Sequence, residues 1–222
     1  MLDWKDIDTV LLDMDGTVLD LHFDNYFWEE FVPACYGELH GLQAEEASRL
    51  LRARYDKVKG TLDWYCLDFW SDSLALDIPR LKEDIRHKIA LRPHAVEFLQ
   101  QLRASGRQVL LVTNAHPRSL ALKMQATGIG QHFHHTISSH VLQLAKENPG
   151  FWHALREEHP YKPARTLLID DNLAVLRQAR AEGIAHLLGV RQPDSQRPPL
   201  LPSPEFRQID HFTDILPGLQ SR

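Results

Sequence analysis

Two acidic side chains, separated by one residue, directly follow a short apolar segment near the start of the chain. Residues 9–12 are β-branched or aliphatic, a composition typical of a buried strand, and they lead into Asp13, Asp15 and Gly16. Side chains alternate along an extended backbone, so the two acids can point the same way, and Gly16 permits a sharp turn. Neighbouring carboxylates repel each other unless a cation or shared proton compensates. Because Mg²⁺ binds carboxylate and phosphate oxygens, the pattern predicts a metal-assisted phosphate site.

Further polar residues follow later segments of strand type. They are Thr113, Asn114, Lys146, Asp170 and Asp171. In an open parallel sheet, ligands bind in the crevice outside the carboxyl ends of the strands. These ends share one edge of the sheet, so we expect the five side chains to gather around the two N-terminal acids. Their joint occurrence is more specific than any one of them alone.

Strand-like and helical segments alternate from residue 92 onward. Strands are predicted at 109–112, 136–138, 166–169 and 185–190, and helices from Pro93 to Gly106, at 117–127, from Pro149 to His159 and from 172 to Gly183. The tail, Phe206 to Leu219, is predicted to form a last short strand and a capping helix. Such alternation indicates an α/β fold, a Rossmann-like and mainly parallel sheet covered by helices on both sides.

The segment between the first strand and this region has a different character. Aromatic and aliphatic residues recur there at helical intervals, and glycines interrupt them, which predicts four or five helices and no strand. We therefore expect an α/β core of residues 1–18 and 89–222, with a helical cap of residues 19–88 inserted after the first strand.

The overall composition narrows the possible partners and location. A formal charge of −5 over 222 residues gives no basic surface for nucleic acid or an acidic membrane. No apolar run approaches the ~18 residues of a membrane-spanning helix, and the N-terminus does not resemble a signal peptide. These features predict a cytoplasmic protein, and they leave its oligomeric state open.

The cysteine and histidine residues give weaker evidence for a functional site. Cys35 and Cys66 lack a close spacing and are interpreted as reduced, structural residues. Four histidines stand close together without an acidic or cysteine partner at the usual ligand spacing, so they are interpreted as part of a solvated strand and its flanks. They are His132, His134, His135 and His140.

The strand-end residues resemble the four motifs of the haloacid dehalogenase superfamily of phosphatases, and the insertion resembles the helical cap of its C1 class. The resemblance implies that Asp13 is the nucleophile that forms an aspartyl-phosphate and that Asp15 is the general acid and base. It also implies that Thr113 and Lys146 stabilise the transferring phosphoryl group.

The same resemblance implies a Mg²⁺ ion held by Asp13, the backbone carbonyl of Asp15 and an acid of the fourth motif. Some relatives carry a further acid four or five positions after that motif, but Val175 and Leu176 stand there in this chain. The ligand must then be Asp170 or Asp171. The spacing to the end of the next helix in C1-cap relatives favours Asp171 as the direct ligand and Asp170 as a secondary one.

Segments of the insertion also resemble those of purine 5′-nucleotidases within this superfamily. The resemblance implies a small phosphomonoester substrate, GMP or IMP. An aromatic ring of the cap offers a stacking face for a purine, although residues at helical spacing also form cap cores. We predict that Trp64 and Asn25 contact the nucleoside and that Asn114 contacts the substrate or shapes its loop.

Other functions remain as alternatives. A sugar-phosphate or phosphoglycolate phosphatase with the same core is the first of them, because the fold does not fix the substrate. A haloacid dehalogenase has no need of Asp15, and a phosphomutase requires a cap that keeps water from the aspartyl-phosphate. A phospho-receiver signalling domain also places acids, Thr and Lys around Mg²⁺, but in another order and without a large insertion.

Overall fold

Strand β1 (Thr9–Leu12) lies inside a parallel sheet that has six strands over the described residues. In this computed structural model the described residues are 2–216 and 218–219. The other strands are β2 (Gln108–Thr113), β3 (His135–Ser138), β4 (Thr166–Asp170), β5 (His186–Val190) and β6 (Gln208–Ile209). Their order is β3-β2-β1-β4-β5-β6, and all neighbouring strands are parallel. The prediction of an α/β fold with a mainly parallel sheet is confirmed.

The α-helices divide between the insertion and the sheet. They are α1 (His22–Tyr26), α2 (Val32–His40), α3 (Ala44–Val58), α4 (Leu62–Tyr65), α5 (Leu67–Leu74), α6 (Ile78–Asp84), α7 (Ala95–Ala104), α8 (Pro117–Thr127), α9 (Phe151–Glu158) and α10 (Leu173–Ala181). The first six lie between β1 and β2, and the last four alternate with the strands.

Alternate residues of the central strands face two different helical layers. Val10 and Leu12 belong to a hydrophobic cluster that includes residues of α7 and α8, whereas Leu11 belongs to a cluster with α9 and α10. All four residues of β1 are buried, as expected for a strand covered on both faces. The sheet is therefore a rigid base whose carboxyl edge carries the polar residues.

The inserted helices have a hydrophobic core of their own. It includes Phe27, Leu51, Trp70 and Ile78, all buried. A π-helical turn over Phe27–Phe31 joins α1 to α2, and π-turns often occur at functional sites. Residues 19–88 contain six α-helical segments rather than the four or five predicted, because the π-helical turn and the extended backbone of Cys66 also divide the helices, at points where the sequence has no glycine.

Several predicted boundaries were wrong. Helix α7 begins at Ala95 rather than Pro93 because His94 adopts a left-handed conformation with φ 63°. Helix α9 begins at Phe151 because Gly150 has φ +88°. The tail contains β6, but its described part ends in a 3₁₀ turn, Phe212–Asp214, instead of a capping α-helix; residues 217 and 220–222 lie outside the described residues.

The interpretation of the histidines also needs one correction. His135 is exposed on β3, as expected for a solvated strand. His140 lies in a 3₁₀ turn beyond that strand, and its Nε2 atom is shielded from solvent. Sequence spacing could not show this because the neighbours of His140 come from distant parts of the chain. Both Cys35 and Cys66 are free thiols, as predicted.

Candidate active site

The order of the strands brings the predicted site residues together. Strand β1 pairs with β2 on one side and with β4 on the other. Thr113 and Asp170 are the last residues of β2 and β4, and Asp13 directly follows β1. The parallel register places Asp13 level with Asp170, and Thr113 ends β2 one residue further along. All three polar residues are buried at the carboxyl edge of the sheet.

The ammonium group of Lys146 joins two of these strand ends. Its Nζ lies 2.5 Å from Oδ1 of Asp13 and 2.7 Å from Oδ2 of Asp170, and it also donates to the carbonyl of Val112 at 3.1 Å. Burial lowers the pKa of the Lys146 ammonium, but the two carboxylates outweigh burial and raise the pKa above its usual value. Lys146 is therefore a fixed positive charge at the site.

Three carboxylates form a cluster beside this lysine. Asp13, Asp170 and Asp171 each offer an oxygen, and these oxygens lie within 4.8 Å of one another. Burial raises the pKa of Asp13 to about 6 against the opposing effect of Lys146. Burial and repulsion by Asp13 and Asp170 raise the pKa of Asp171 well above its usual value. One lysine does not compensate the negative charge of this cluster, so a cation would be favoured there.

The two acids of the fourth motif differ in their partners. Asp170 accepts hydrogen bonds from Lys146 and from the backbone N–H of Asn172, the latter at 2.9 Å. The Asp171 carboxylate has no hydrogen-bond or ion-pair partner among residues 2–216 and 218–219. Its oxygens therefore remain available to an external ligand.

Gly16 makes room for Asp171. The residue has φ +85°, and a Cβ atom built on it would lie 2.7 Å from Oδ2 of Asp171. A side chain at this position would meet both backbone strain and a steric clash. The glycine predicted to form a turn after the two acids therefore also permits the close approach of the fourth motif.

The Asp15 side chain is not a member of the carboxylate cluster but is paired with a buried lysine that the sequence did not predict. Nζ of Lys123, on α8, lies 2.6 Å from Oδ1 of Asp15 and 2.6 Å from Oδ2 of Asp24, on α1. Lys82, on α6, contacts the other oxygen of Asp24 at 2.7 Å. Both lysines are buried. This Lys82–Asp24–Lys123–Asp15 chain connects the insertion to the predicted general acid.

The Lys82–Asp24–Lys123–Asp15 chain affects the two carboxylates in opposite ways. Burial raises the pKa of Asp15 to about 7, although Lys123 lowers it, because the charges of Asp24 and Asp13 add to the effect of burial. Burial also raises the pKa of Asp24, but Lys123 and Lys82 outweigh it and hold that pKa below the usual range. Asp24 is therefore the ionised partner, and Asp15 can carry a proton near neutral pH.

Thr113 and Asn114 have different roles in the loop after β2. The hydroxyl oxygen of Thr113 accepts the backbone N–H of Ala115 at 3.0 Å, so its proton remains free to donate. Asn114 accepts the backbone N–H of Lys146 at 2.9 Å and donates to Glu147 at 2.8 Å. Asn114 therefore fixes the position of the loop that carries Lys146.

Glu147 extends this contact into the insertion. Its Oε1 accepts the hydroxyl proton of Tyr65 at 2.8 Å, while its Oε2 accepts from Asn114. Burial and the Glu147 carboxylate raise the pKa of the Tyr65 phenol, so the phenol remains a donor. Glu147 follows Lys146 directly in sequence, and it was missed because a single acid in a loop gives no periodic signal.

A cavity of about 820 Å³ lies over these residues and is roofed by the insertion. Trp64 lines it, but its ring also packs at 5.6 Å, centroid to centroid, against Tyr55 in the core of the insertion. Asn25 also lines the cavity, and its amide donates to Asp194 at 2.7 Å. Asp194 lies in the proline-rich segment 191–204, yet its side chain is buried.

All nine predicted site residues line this cavity, but their side chains have different partners. Asp13, Thr113, Lys146, Asp170 and Asp171 line the same end of the site, and the roles predicted for them remain predictions. The Asp15 side chain lies on the side of Lys123. Asn25 and Trp64 reach the cavity from the insertion.

Residues 7–183, which contain β1 to β4 and all the strand-end residues, match the haloacid dehalogenase-like hydrolase family. The chain belongs to this family, as the resemblance of its motifs predicted. Among its relatives is the GMP/IMP nucleotidase YrfG of Escherichia coli K12, 47% identical over 192 residues, which are 86% of each chain. The Shigella flexneri protein of the same name matches equally. The chain is therefore an enzyme of the phosphoric monoester hydrolase class, as predicted.

Solved structures share the fold at low sequence identity. A HAD phosphatase from Thermococcus onnurineus superposes with a TM-score of 0.78 at 21% identity, covering 96% of this chain and 99% of that one. An L-2-haloacid dehalogenase from Xanthobacter autotrophicus superposes with a TM-score of 0.63 at 15% identity, covering 94% and 96%. These similarities concern the fold alone. Among the described helices, none has the length and apolar character needed to cross a membrane.

Proposed function

We propose that the chain is a Mg²⁺-dependent phosphomonoester hydrolase that acts through an aspartyl-phosphate on purine 5′-monophosphates, with GMP and IMP as its preferred substrates. The observation that carries this proposal is the carboxylate cluster at the carboxyl edge of the sheet. There, Lys146 holds Asp13 and Asp170, while Asp171 lies nearby without a protein partner. Such a site suits a nucleophile that must meet an anionic substrate.

The donor set fits magnesium. Carboxylate and carbonyl oxygens are the ligands that Mg²⁺ prefers, and the pKa of Asp171 is raised as expected for an acid that lacks a compensating cation. Asp13, Asp171 and the backbone carbonyl of Asp15 would hold the ion. Asp170 is the less available ligand because Lys146 and Asn172 already use its oxygens. When bound, Mg²⁺ supplies positive charge that reduces the repulsion between carboxylate and phosphate.

The protein groups support a two-step transfer. The Asp13 carboxylate attacks the phosphorus atom, and Lys146 and the Thr113 hydroxyl stabilise the phosphoryl oxygens as negative charge accumulates on them. Asp15 donates a proton to the departing 5′ oxygen and then accepts one from the water that cleaves the aspartyl-phosphate. A pKa of about 7 suits a carboxyl group that must do both near neutral pH.

We further propose that residues 19–88 act as a cap that excludes water and recognises the nucleoside. Their separate hydrophobic core and their position over the cavity support this role. The volume of about 820 Å³ lies in the range of small-ligand pockets. Trp28 and Trp64 line the cavity and remain half-buried, so an edge or face of either ring can contact a base.

Polar groups at the α3 side of the cavity suit a 6-oxopurine. Arg52 and Asp56 are one helical turn apart, and Lys59 follows α3 directly; all three line the cavity. Arginine or lysine side chains bind the O6 and N7 acceptors of guanine, and a carboxylate can accept from the ring N1–H. GMP and IMP share these groups. The name of the related nucleotidase supports the same substrates for this chain.

The remaining parts of the proposal concern partners and location. The net charge of −5 supports a small-molecule substrate rather than nucleic acid. We propose a cytoplasmic enzyme, in keeping with the intracellular supply of nucleotides.

Phosphate release from a substrate panel tests the proposal. The panel contains GMP, IMP, AMP, a pyrimidine monophosphate, a hexose phosphate and phosphoglycolate, each assayed with Mg²⁺ and with EDTA. We expect the highest kcat/KM for GMP and IMP, loss of activity in EDTA and recovery when Mg²⁺ is restored. Preference for the hexose phosphate or phosphoglycolate would replace the assigned substrate, and full turnover in EDTA would refute the metal requirement.

An Asp171→Asn variant sharpens the metal test. The same change at the exposed Asp72, which does not line the cavity, is its matched control. We expect Asp171→Asn to raise the Mg²⁺ concentration required for half-maximal activity by at least about tenfold. Even the loss of a residue that only orients a metal ligand lowers metal affinity by about 10- to 100-fold. Unchanged Mg²⁺ dependence in Asp171→Asn would exclude Asp171 as a ligand.

A further inference from the structure

Three side chains that bind soft metals lie together at the junction of the cap and the core. Cys66, His116 and His140 each offer one ligand atom, and these atoms lie within 4.8 Å of one another. Cys66 separates α4 from α5 in the cap, His116 precedes α8 in the core, and His140 follows β3. This cluster shares no residue with the carboxylates of the candidate active site.

His140 presents a lone pair that the protein does not use. Its Nε2 is shielded from solvent and has no hydrogen-bond partner among the described residues. The Asn114 backbone hydrogen-bonds the same ring, and since Nε2 is unpartnered, this contact is left to Nδ1. Metal-binding histidines commonly donate one ring N–H to a backbone carbonyl and bind the metal with the other nitrogen. A buried unpaired acceptor is otherwise costly.

His116 has the second arrangement typical of metal-binding histidines. Its Nε2 lies 3.5 Å from a carboxylate oxygen of Asp68, which can accept the proton of that nitrogen. Its Nδ1 accepts the backbone N–H of Arg118 over a long 3.3 Å, a weak contact that a metal can replace. A carboxylate behind a ligand imidazole fixes its orientation and makes it a stronger ligand.

Cys66 completes the cluster from the cap. Its sulfur accepts the backbone N–H of Phe69 at 3.5 Å, at the start of α5. The thiolate is the form of cysteine that binds metals. Thiolate and imidazole ligands suit Zn²⁺, whereas Mg²⁺ requires oxygen ligands. The ligand chemistry therefore distinguishes this cluster from the carboxylate site.

We propose that Cys66, His116 and His140 bind one Zn²⁺ ion, with Asp68 orienting His116 and solvent in the fourth position. Metal–ligand bonds of about 2.0–2.3 Å require ligand atoms about 3.5 Å apart, so side-chain rotations close the cluster. The ion joins the cap to the core beside the cavity, which His116 lines. Bound zinc therefore holds the cap in place and slows the exchange of substrate and product.

Metal binding to the full-length chain tests the proposal without a need for catalytic activity. The protein is first stripped with a chelator and then titrated with Zn²⁺ by calorimetry in excess Mg²⁺, which protects the carboxylate site. Co²⁺ replaces Zn²⁺ in a parallel titration because a cobalt–thiolate bond gives a near-ultraviolet charge-transfer band. We expect one tight equivalent of either metal, with that band for Co²⁺.

Variants identify the ligands. Cys66→Ser and His140→Asn should each weaken Zn²⁺ binding by more than the ~10–100-fold typical of losing an outer partner, and Cys66→Ser should also remove the thiolate band. Cys35→Ser and the exposed His87→Asn are matched controls and should bind as the parent does. Thermal unfolding measured for each variant verifies that its fold is intact.

The following outcomes would overturn the proposed zinc site. Absence of tight binding in the parent would exclude a zinc site. Tight binding without the thiolate band would exclude Cys66 as a ligand, and binding that Asp171→Asn abolishes and Cys66→Ser does not would place the metal at the carboxylates.

The inhibitory consequence has its own test. Zn²⁺ should lower phosphate release by the parent, and much less so by Cys66→Ser, in excess Mg²⁺. This part rests on the proposed function, whereas calorimetry and the cobalt spectrum do not; a failure of the proposed hydrolase activity would therefore leave the metal-site result interpretable. Equal inhibition of the two proteins would refute the role of zinc in holding the cap.

Discussion

Replacing Lys123 by methionine removes the positive charge between the predicted general acid and the cap. The Lys123 ammonium lies 2.6 Å from both Asp15 and Asp24, and it opposes the burial that raises the pKa of Asp15 to about 7. An opposite charge at such a distance typically lowers a carboxyl pKa by about 1–3 units. Lys123→Met should therefore raise the pKa of Asp15 by about that amount.

The direction of this shift can be read from the pH dependence of kcat/KM. Asp15 must be protonated to donate to the leaving group, so activity falls as pH rises through its pKa. Lys123→Met should move that basic limb to higher pH. Asp24→Asn should move it to lower pH, because the Asp24 carboxylate raises the pKa of Asp15 and its loss leaves Lys123 unopposed. The two variants thus give opposite shifts.

Stability must be measured together with activity. Breaking a buried ion pair by removing one partner typically costs about 3–5 kcal/mol, and Lys82 still compensates Asp24 in Lys123→Met, which favours the lower end. Thermal unfolding shows whether the variant remains folded at the assay temperature, and the exposed Lys162→Met serves as the control. If both folded variants retained the parental pH profile, the assignment of Asp15 as the acid positioned by Lys123 would be refuted.

Three further predictions test other parts of the site. Asp13→Asn should lower kcat by at least about 10⁴-fold without lowering the melting temperature, because it removes one charge from a repulsive cluster; near-parental turnover would reject the nucleophile. Trp64→Ala should lower kcat/KM for GMP by about tenfold or more, as loss of stacking does, and change it much less for a small phosphomonoester; an unaltered substrate profile would exclude the base contact. Gly16→Ala should weaken Mg²⁺ activation because its Cβ would lie 2.7 Å from Asp171. Gly41→Ala shares the backbone strain, with φ +65° and open space around it, so it should affect stability alone.

The residues at the strand ends could be predicted because their signal is local and repeated. An apolar segment followed by an acid or a threonine indicates both a strand and the position of its carboxyl end. Because parallel strands have their carboxyl ends at the same edge of the sheet, all such residues are expected there. Thr113, at the end of β2, and Asp170, at the end of β4, illustrate this inference. The alternation of helix and strand followed from the same apolar periodicity.

The residues that connect the cap to the core could not be predicted in this way. A single lysine on an amphipathic helix is usually solvated, and nothing near Lys123 in sequence distinguishes it from one. Its burial depends on Asp15 and Asp24, which are 108 and 99 positions away. Glu147 and Asp194 are likewise defined by distant partners. Predicted boundaries such as the start of α7 were wrong for another reason. His94 adopts a left-handed conformation, and its residue type does not indicate this in the sequence.

If residues 19–88 act as the proposed cap, these missed contacts give it a route to influence the proposed chemistry without contacting the phosphorus atom. Asp24 belongs to the first helix of the cap, yet it shares Lys123 with Asp15, so a displacement of α1 changes the charge that faces the acid. Tyr65 contacts Glu147, which holds Asn114 and through it the backbone of Lys146. The cap is thus joined both to the predicted proton donor and to the fixed cation of the site. Opening it would weaken both groups at once, and the reaction would then proceed efficiently only with the cap closed.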